Sequence, residues 1–182
     1  MYQTTAGARY EGFWRDDQQH GNGVEDLASG AKYEGEHKNG LKDGKGKYTF
    51  TNGSVYEGQW LENKIHGYGK QNWVDGKVYH GQWVANNMEG FGLYLYADKV
   101  TYEGQFKDDK KTGYGIYRWP DGRQYQGWWY NGKQHGYGIY TGTNKVEKYG
   151  LWEHGKRLAW FNATDQDSVR NGSFDYRRLF KD

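Results

Sequence analysis

The chain has no cysteine among its 182 residues and only one proline. Without cysteine there are no disulfides, no zinc–thiolate centres and no thiol nucleophile, which fits a reducing compartment. No apolar run approaches the ~20 residues that span a bilayer. The opening residues Met1–Gly7 contain no apolar signal region. An excess of one charge sign is missing too: 25 basic residues face 23 acidic ones, a formal net charge of +2. That is not the electrostatic footprint of a nucleic-acid binder. The expected setting is intracellular and cytoplasmic.

What the chain does have is glycine, 29 copies, and rings: 9 Trp, 18 Tyr and 7 Phe. Mean hydropathy is −1.20. A disordered chain is as hydrophilic but poor in aromatics. Trp and Tyr supply large buried areas while keeping a polar handle. The chain therefore folds around an aromatic core rather than an aliphatic one.

The rings and glycines recur. Stepping by 23 from Gly12 gives Gly35, Gly58, Gly81, Gly104, Gly127 and Gly150. Two residues before these glycines stand Tyr10, Tyr33, Tyr56, Tyr79, Tyr102 and Tyr125, then Lys148. Two residues after them stand Trp14, His37, Trp60, Trp83, Phe106, Trp129 and Trp152. A Gly-x-Gly follows in six copies, with no insertion or deletion from Tyr10 to Trp152.

The even spacing of Tyr56, Gly58 and Trp60 reads as strand. Two kinds of turn punctuate it. One lies near Asp16-Asp17, Asn39-Gly40, Glu62-Asn63, Asn86-Asn87, Asp108-Asp109, Asn131-Gly132 and His154-Gly155. The other is Ser29-Gly30, Asn52-Gly53, Asp75-Gly76, Asp98-Lys99, Asp121-Gly122 and Asn144-Lys145. Asn, Asp and Gly accept the positive φ of tight hairpins. Each copy is thus one β-hairpin, and the chain is an antiparallel meander. A hairpin cannot bury its own face, but stacked neighbours can. Glycine inside a strand marks close approach of other groups, here a ring from the neighbouring strand. The expected fold is all-β: an elongated, single-layer, twisted rod of stacked hairpins, roughly 60–70 Å long at ~4.8 Å per strand. Residues 1–155 form the repeat array, with six full copies and a partial copy at each end. Residues 156–182 form a C-terminal cap and tail.

At these residues the chain resembles the MORN (membrane occupation and recognition nexus) repeat family. Its pattern is close to Y-E-G-x-W, a turn, H-G-x-G, an aromatic strand and a D/N-G turn. "YEGQWLENKIHGYG" at 56–69 matches nearly throughout. His37 and Phe106 depart from it by replacing Trp. Asp43, Glu89 and Thr112 replace the His of the H-G pair, and Lys148 replaces the last Tyr. The resemblance implies an all-β rod and a scaffold role in cytoskeletal, ciliary or membrane-junction assemblies. In family members that carry an enzyme, the catalytic domain lies outside the repeats. The family's link to phosphoinositides transfers to no residue here.

Candidate chemistry is sparse. A phosphate cradle needs a helix N-terminus after its glycines, whereas strand residues such as Gly115-Ile116-Tyr117 follow here. His20, His66 and His135 share one repeat position, but copies two hairpins apart are separated by roughly 20 Å. They cannot converge on a metal, and no nucleophile pairs with them. No catalytic residue, cofactor or metal is expected.

The residues that vary between copies carry the binding signal. Positions facing away from the glycines turn apolar from Tyr68 onward. Tyr68, Phe91, Leu93, Tyr114, Ile116 and Tyr137 are the candidate partner anchors, and Trp73, Tyr96 and Trp119 on the ring side are the alternative. The expected function is a non-catalytic scaffold that holds an extended or helical protein segment in a larger assembly. End-to-end or homo-oligomeric contact is a further option. The alternative function is a module for acidic phospholipid headgroups, which the near-neutral charge disfavours. In the tail, Leu158, Trp160 and Phe161 are candidates to cap the last hairpin. Phe174, Tyr176, Leu179 and Phe180 follow in a short helix or an extended docking segment.

Overall fold

The computed structural model describes residues 2–3 and 7–170, so Phe174, Tyr176, Leu179 and Phe180 lie outside the described residues. The chain divides into two compact units, Met1–Ala97 and Asp98–Asp182. In the first, a short strand β1 (Tyr2–Gln3) precedes four hairpins. These are β2 (Arg9–Arg15) with β3 (Gln18–Asp26), and β4 (Lys32–Lys38) with β5 (Leu41–Thr49). Then come β6 (Val55–Leu61) with β7 (Lys64–Asn72), and β8 (Val78–Val84) with β9 (Asn87–Leu95). Each strand pairs antiparallel with the next. The second unit repeats the plan. Its hairpins are β10 (Thr101–Lys107) with β11 (Lys110–Arg118), β12 (Gln124–Tyr130) with β13 (Lys133–Thr141), and β14 (Glu147–Glu153) with β15 (Lys156–Trp160). Helix α1 (Ala163–Arg170) follows. The fold is the antiparallel hairpin meander that the repeat predicts.

The core is a zigzag of rings on one face. Tyr10, Tyr33, Tyr56 and Tyr79 in unit 1, and Tyr102 and Tyr125 in unit 2, are fully buried. Each meets the aromatic ring four residues on, and Tyr10, Tyr33, Tyr56, Tyr102 and Tyr125 also meet the equivalent ring of the next hairpin, edge to face. Within unit 1 the chain of contacts runs Tyr10–His37–Tyr33–Trp60–Tyr56–Trp83–Tyr79, with centroids 5.0–5.6 Å apart. Within unit 2 it runs Phe106–Tyr102–Trp129–Tyr125–Trp152, at 4.9–5.5 Å. Such pairs add about 0.5–1.5 kcal/mol each beyond area burial. The polar ends are satisfied by backbone. Each of the six tyrosines donates its hydroxyl to the carbonyl three residues on, at 2.9–3.1 Å. The indoles of Trp60, Trp83 and Trp129 donate to the carbonyls of Gly46, Gly69 and Gly115.

The two glycines of Gly-x-Gly have different reasons to exist. The second lies under a ring: a Cβ at Gly69 would sit 2.5 Å from Tyr56 Cζ. The first has positive φ in every copy, from Gly21 at 63° to Gly136 at 71°, because a bulge passes through it. Between the pairs Gly58↔Gly69 and Trp60↔Ile65 the register slips, and Gln59 alone faces His66, Gly67 and Tyr68. The expectation of a ring from the neighbouring strand therefore holds for Gly69. At Gly58 the ring is that of Tyr56 on its own strand, together with the Cα of the paired Gly69.

The tight turns carry positive φ at both central residues, the primed geometry that matches strand twist. One turn differs from the expected position. It is Ala85-Asn86, at φ 48° and 75°, not Asn86-Asn87. Register decides this: Asn86 bonds the previous hairpin through its N–H to the Ile65 carbonyl, while its Oδ1 accepts the Ile65 N–H. Asn63 clamps Lys42 in the same way.

Candidate interaction faces

The bulge builds the outer face. In four copies the residue before the ladder ring caps the bulge. Glu36, Gln59, Gln82 and Gln105 accept, through a side-chain oxygen, the N–H of Lys45, Tyr68, Phe91 and Tyr114 at 2.7–3.1 Å. The capped residue is thereby aimed away from the ring ladder, as bulges commonly re-aim a side chain. In unit 1, Tyr68 is 58% exposed, Phe91 61% and Leu93 45%. Their cross-strand surroundings are polar: Tyr68 faces Gln82, and Leu93 faces His80. In unit 2, Tyr114 is exposed and edge-on to the exposed Trp128, 5.9 Å away, and its hydroxyl accepts from Gln126. Ile116 and Tyr137 are half-buried. Tyr137 packs against Phe161, which is buried with Leu151 and carries the chain into α1. Trp160 lies instead against Trp152 of the ladder, and Leu158 remains exposed.

The alternative candidates sit on the ring side near the wider loops. Trp73 pairs with Tyr94 and Tyr96 with the same Tyr94, all in unit 1. Trp119 of unit 2 pairs with Tyr117 and Tyr140, with the Arg123 guanidinium over its ring. All three candidates are half-buried.

Two outer residues are absent from the sequence-based candidates. Phe13, 70% exposed, and Trp128 replace the Gln or Glu that caps the bulge, and they lie over Gly21 and Gly136. The signal was the column Phe13, Glu36, Gln59, Gln82, Gln105, Trp128, in which rings interrupt amides. Helix α1 was missed as well. Asn162 Oδ1 accepts the Asp165 N–H, and Asp165 returns a bond to the Asn162 N–H, a reciprocal cap legible as Asn-x-x-Asp.

Charged groups on the ring side act locally. Lys42 bridges Glu25 at 2.7 Å beside His37. His37 is buried, and burial pushes its pKa down. Burial also lowers the Lys111 ammonium to about 8, while the rings of Trp129, Tyr117 and Tyr102 face it at 4.7–5.6 Å. Among the described residues no group of three or more His, Cys, Asp or Glu side chains could hold a metal ion. No described helix is long and apolar enough to cross a membrane.

Comparison with known proteins agrees with the repeat. The family model described as MORN repeat matches six consecutive segments, 10–32, 33–55, 56–78, 79–101, 102–122 and 125–145. No curated protein matches the chain. Solved structures similar to it include the TCP domain of Drosophila melanogaster SAS-4 in complex with a proline-rich motif of Ana2. The identity is 12%, 73% of each chain is covered and the TM-score is 0.47. Another is the wild-type TCP10 domain of Danio rerio CPAP, at 12% identity, 88% of this chain, 98% of that one and a TM-score of 0.24. The same domain with a Danio rerio STIL peptide gives 14%, 88%, 92% and 0.21. With the family model matched over well more than half of its length, the chain belongs to the MORN repeat family.

Proposed function

We propose that the chain is a non-catalytic protein-interaction module of a larger assembly, cytoskeletal or ciliary, and that it holds an extended or helical segment of a partner on its outer face. The observation that carries this reading is the exposure of Tyr68, Phe91 and Leu93 in unit 1. None of the three belongs to the buried ring ladder, and uncovered apolar side chains grouped on one face mark interaction sites. Tyr114, Ile116 and Tyr137 continue the same repeat positions in unit 2. Buried aromatics dominate interface energies at about 2 kcal/mol or more each.

The test compares the full chain with a Phe91→Ser/Tyr114→Ser variant and a Trp14→Ser/Tyr33→Ser variant, in cross-linking and capture from the native cell. The first pair should lose the partner recovered with the parent while melting within about 2 °C of it. The second pair should melt much earlier. If the first pair unfolds instead, the outer face is core, and binding belongs to the ring side around Trp73, Tyr96 and Trp119. Vesicles of acidic phospholipid form the other arm. Salt-sensitive pelleting of the parent that the first pair leaves intact would favour the lipid reading over the protein one.

A further inference from the structure

The wider loops place a large side chain at one repeat position: Leu27, Phe50, Trp73, Tyr96 and Trp119, in steps of 23. At the next step stands Gly142. There the ring side of unit 2 opens into a cavity of about 560 Å³. Trp119, Tyr140, Trp152 and Trp160 line it with Gly142, and Lys148 and Arg157 stand at its wall. The same hairpin has exchanged its other parts. Lys148 stands where the earlier copies have the ladder tyrosine, and Arg157 stands at the position of Gln19, Lys42, Ile65, Met88, Lys111 and Gln134. Trp160 pairs with Gly150, the place of a glycine in the other hairpins, and the ring against Gly150 is that of Trp152 in place of a tyrosine. Arg157 lies 4.4 Å and Lys148 5.7 Å from the Trp160 ring centre. Neither forms an ion pair among the described residues.

We propose that this cavity is a binding site for a partner's aromatic side chain flanked by a carboxylate, a ring entering the space that Gly142 leaves open and the acid meeting Lys148 and Arg157. A site with aromatic walls and no cation would suit any apolar group. Two cations in one cavity with no carboxylate in its wall, one of them at the place of the ladder tyrosine, select an anionic one. A planar ring can offset-stack on or meet edge-on the indoles of Trp119 and Trp160, as aromatic pairs prefer. Desolvating the acid is offset by charge-assisted bonds, strongest when the guanidinium of Arg157 takes it bidentately. The site lies on the opposite face from the proposed outer surface, so either can fail alone.

Small probes test it on the full chain. Indole-3-acetate carries the ring and the acid, indole the ring alone, and tryptamine the ring with a cation. Nitrogen-labelled indole resonances of the protein report binding. Indole-3-acetate should bind with a Kd on the order of 1 mM, moving the Trp160 and Trp119 signals, while indole and tryptamine bind about tenfold more weakly. Gly142→Trp restores the missing ring. Its new Cβ would come closest to the Asn144 side-chain oxygen, at 2.9 Å, with the Val146 carbonyl at 3.9 Å, so the variant should fold and lose the site. Lys148→Gln with Arg157→Gln should bring indole-3-acetate down to the affinity of indole. Tryptamine binding as well as indole-3-acetate, or unchanged binding to folded Gly142→Trp, would overturn the proposal.

Discussion

The repeat's glycines separate into two physical kinds, and substitution distinguishes them. At Gly69 the backbone tolerates any residue, but a Cβ would enter the ring of Tyr56. At Gly67 the obstacle is a φ of 65° and the flexible end of Gln59. Gly69→Ala should cost ~1–3 kcal/mol by overpacking, and Gly67→Ala about 1–2 kcal/mol by left-handed strain. The discriminating measurement is a double-mutant cycle in denaturant. Tyr56→Ala should relieve much of the Gly69→Ala cost, because the clashing ring is gone, and leave the Gly67→Ala cost standing. Equal coupling at both sites would mean that one cause serves both. His37 gives a second prediction at this scale. Its folded pKa lies below the ordinary value because it is buried, with Glu25 opposing the shift and Lys42 adding to it. The unfolded chain therefore takes up the proton first as pH falls, and stability declines from about pH 7 downward. The parent should melt about 3 °C lower at pH 5.5 than at pH 7.5, and His37→Phe should flatten that difference. A slope that survives in His37→Phe would place the linkage elsewhere.

At the scale of the element, the hairpins were legible because the strand glycine recurs seven times, and the ladder tyrosine and Gly-x-Gly six times, in one register. Tyr-x-Gly-x-Trp shows the strand, Asn-Gly the turn and the 23-residue step the stacking. The bulge was not legible, because period two continues through it on paper. Three residues facing Gln59 appear only when the pairing of Gly58 with Gly69 is set beside that of Trp60 with Ile65. The turn at Ala85-Asn86 was misplaced for a related reason: composition favoured the Asn pair, but the bond from Asn86 to Ile65 fixed the register. Of the candidate anchors, Tyr68, Phe91 and Leu93 followed from parity. Tyr137 meets Phe161, a contact that nothing in the 23-residue pattern encodes. Because the amide caps the bulge, Gln82→Ala should leave the Phe91 N–H without its 2.8 Å acceptor. In a partly exposed bulge this costs about 0.5–1.5 kcal/mol. Faster amide exchange at Phe91 is the expected readout. Unchanged exchange there would show that water replaces the glutamine at no cost.

For the molecule as a whole, the ring contacts described in unit 1 join each hairpin to the hairpins beside it. Trp83 meets Tyr56 of the preceding hairpin and Tyr79 of its own, and its indole bonds to the Gly69 carbonyl. Among the described residues these pairwise contacts, rather than a centre shared by all four hairpins, hold the rings. Stability in such arrays is a sum of repeat terms and nearest-neighbour interfaces, and a local defect stays local. Trp83→Ala removes two edge-to-face contacts and a buried hydrogen bond, at about 3–5 kcal/mol. In a globular core that loss would lower protection throughout. Here it should accelerate amide exchange in β6, β7, β8 and β9, while β2 and β3, which reach Trp83 only through His37, Trp60 and the tyrosines between them, keep nearly their original rates. Hydrogen exchange resolved by mass spectrometry over peptides from β2–β3 and β7–β8 measures the contrast directly. A uniform rise across unit 1 would mean that the hairpins unfold as one cooperative body and that the ladder transmits strain further than its pairwise contacts imply.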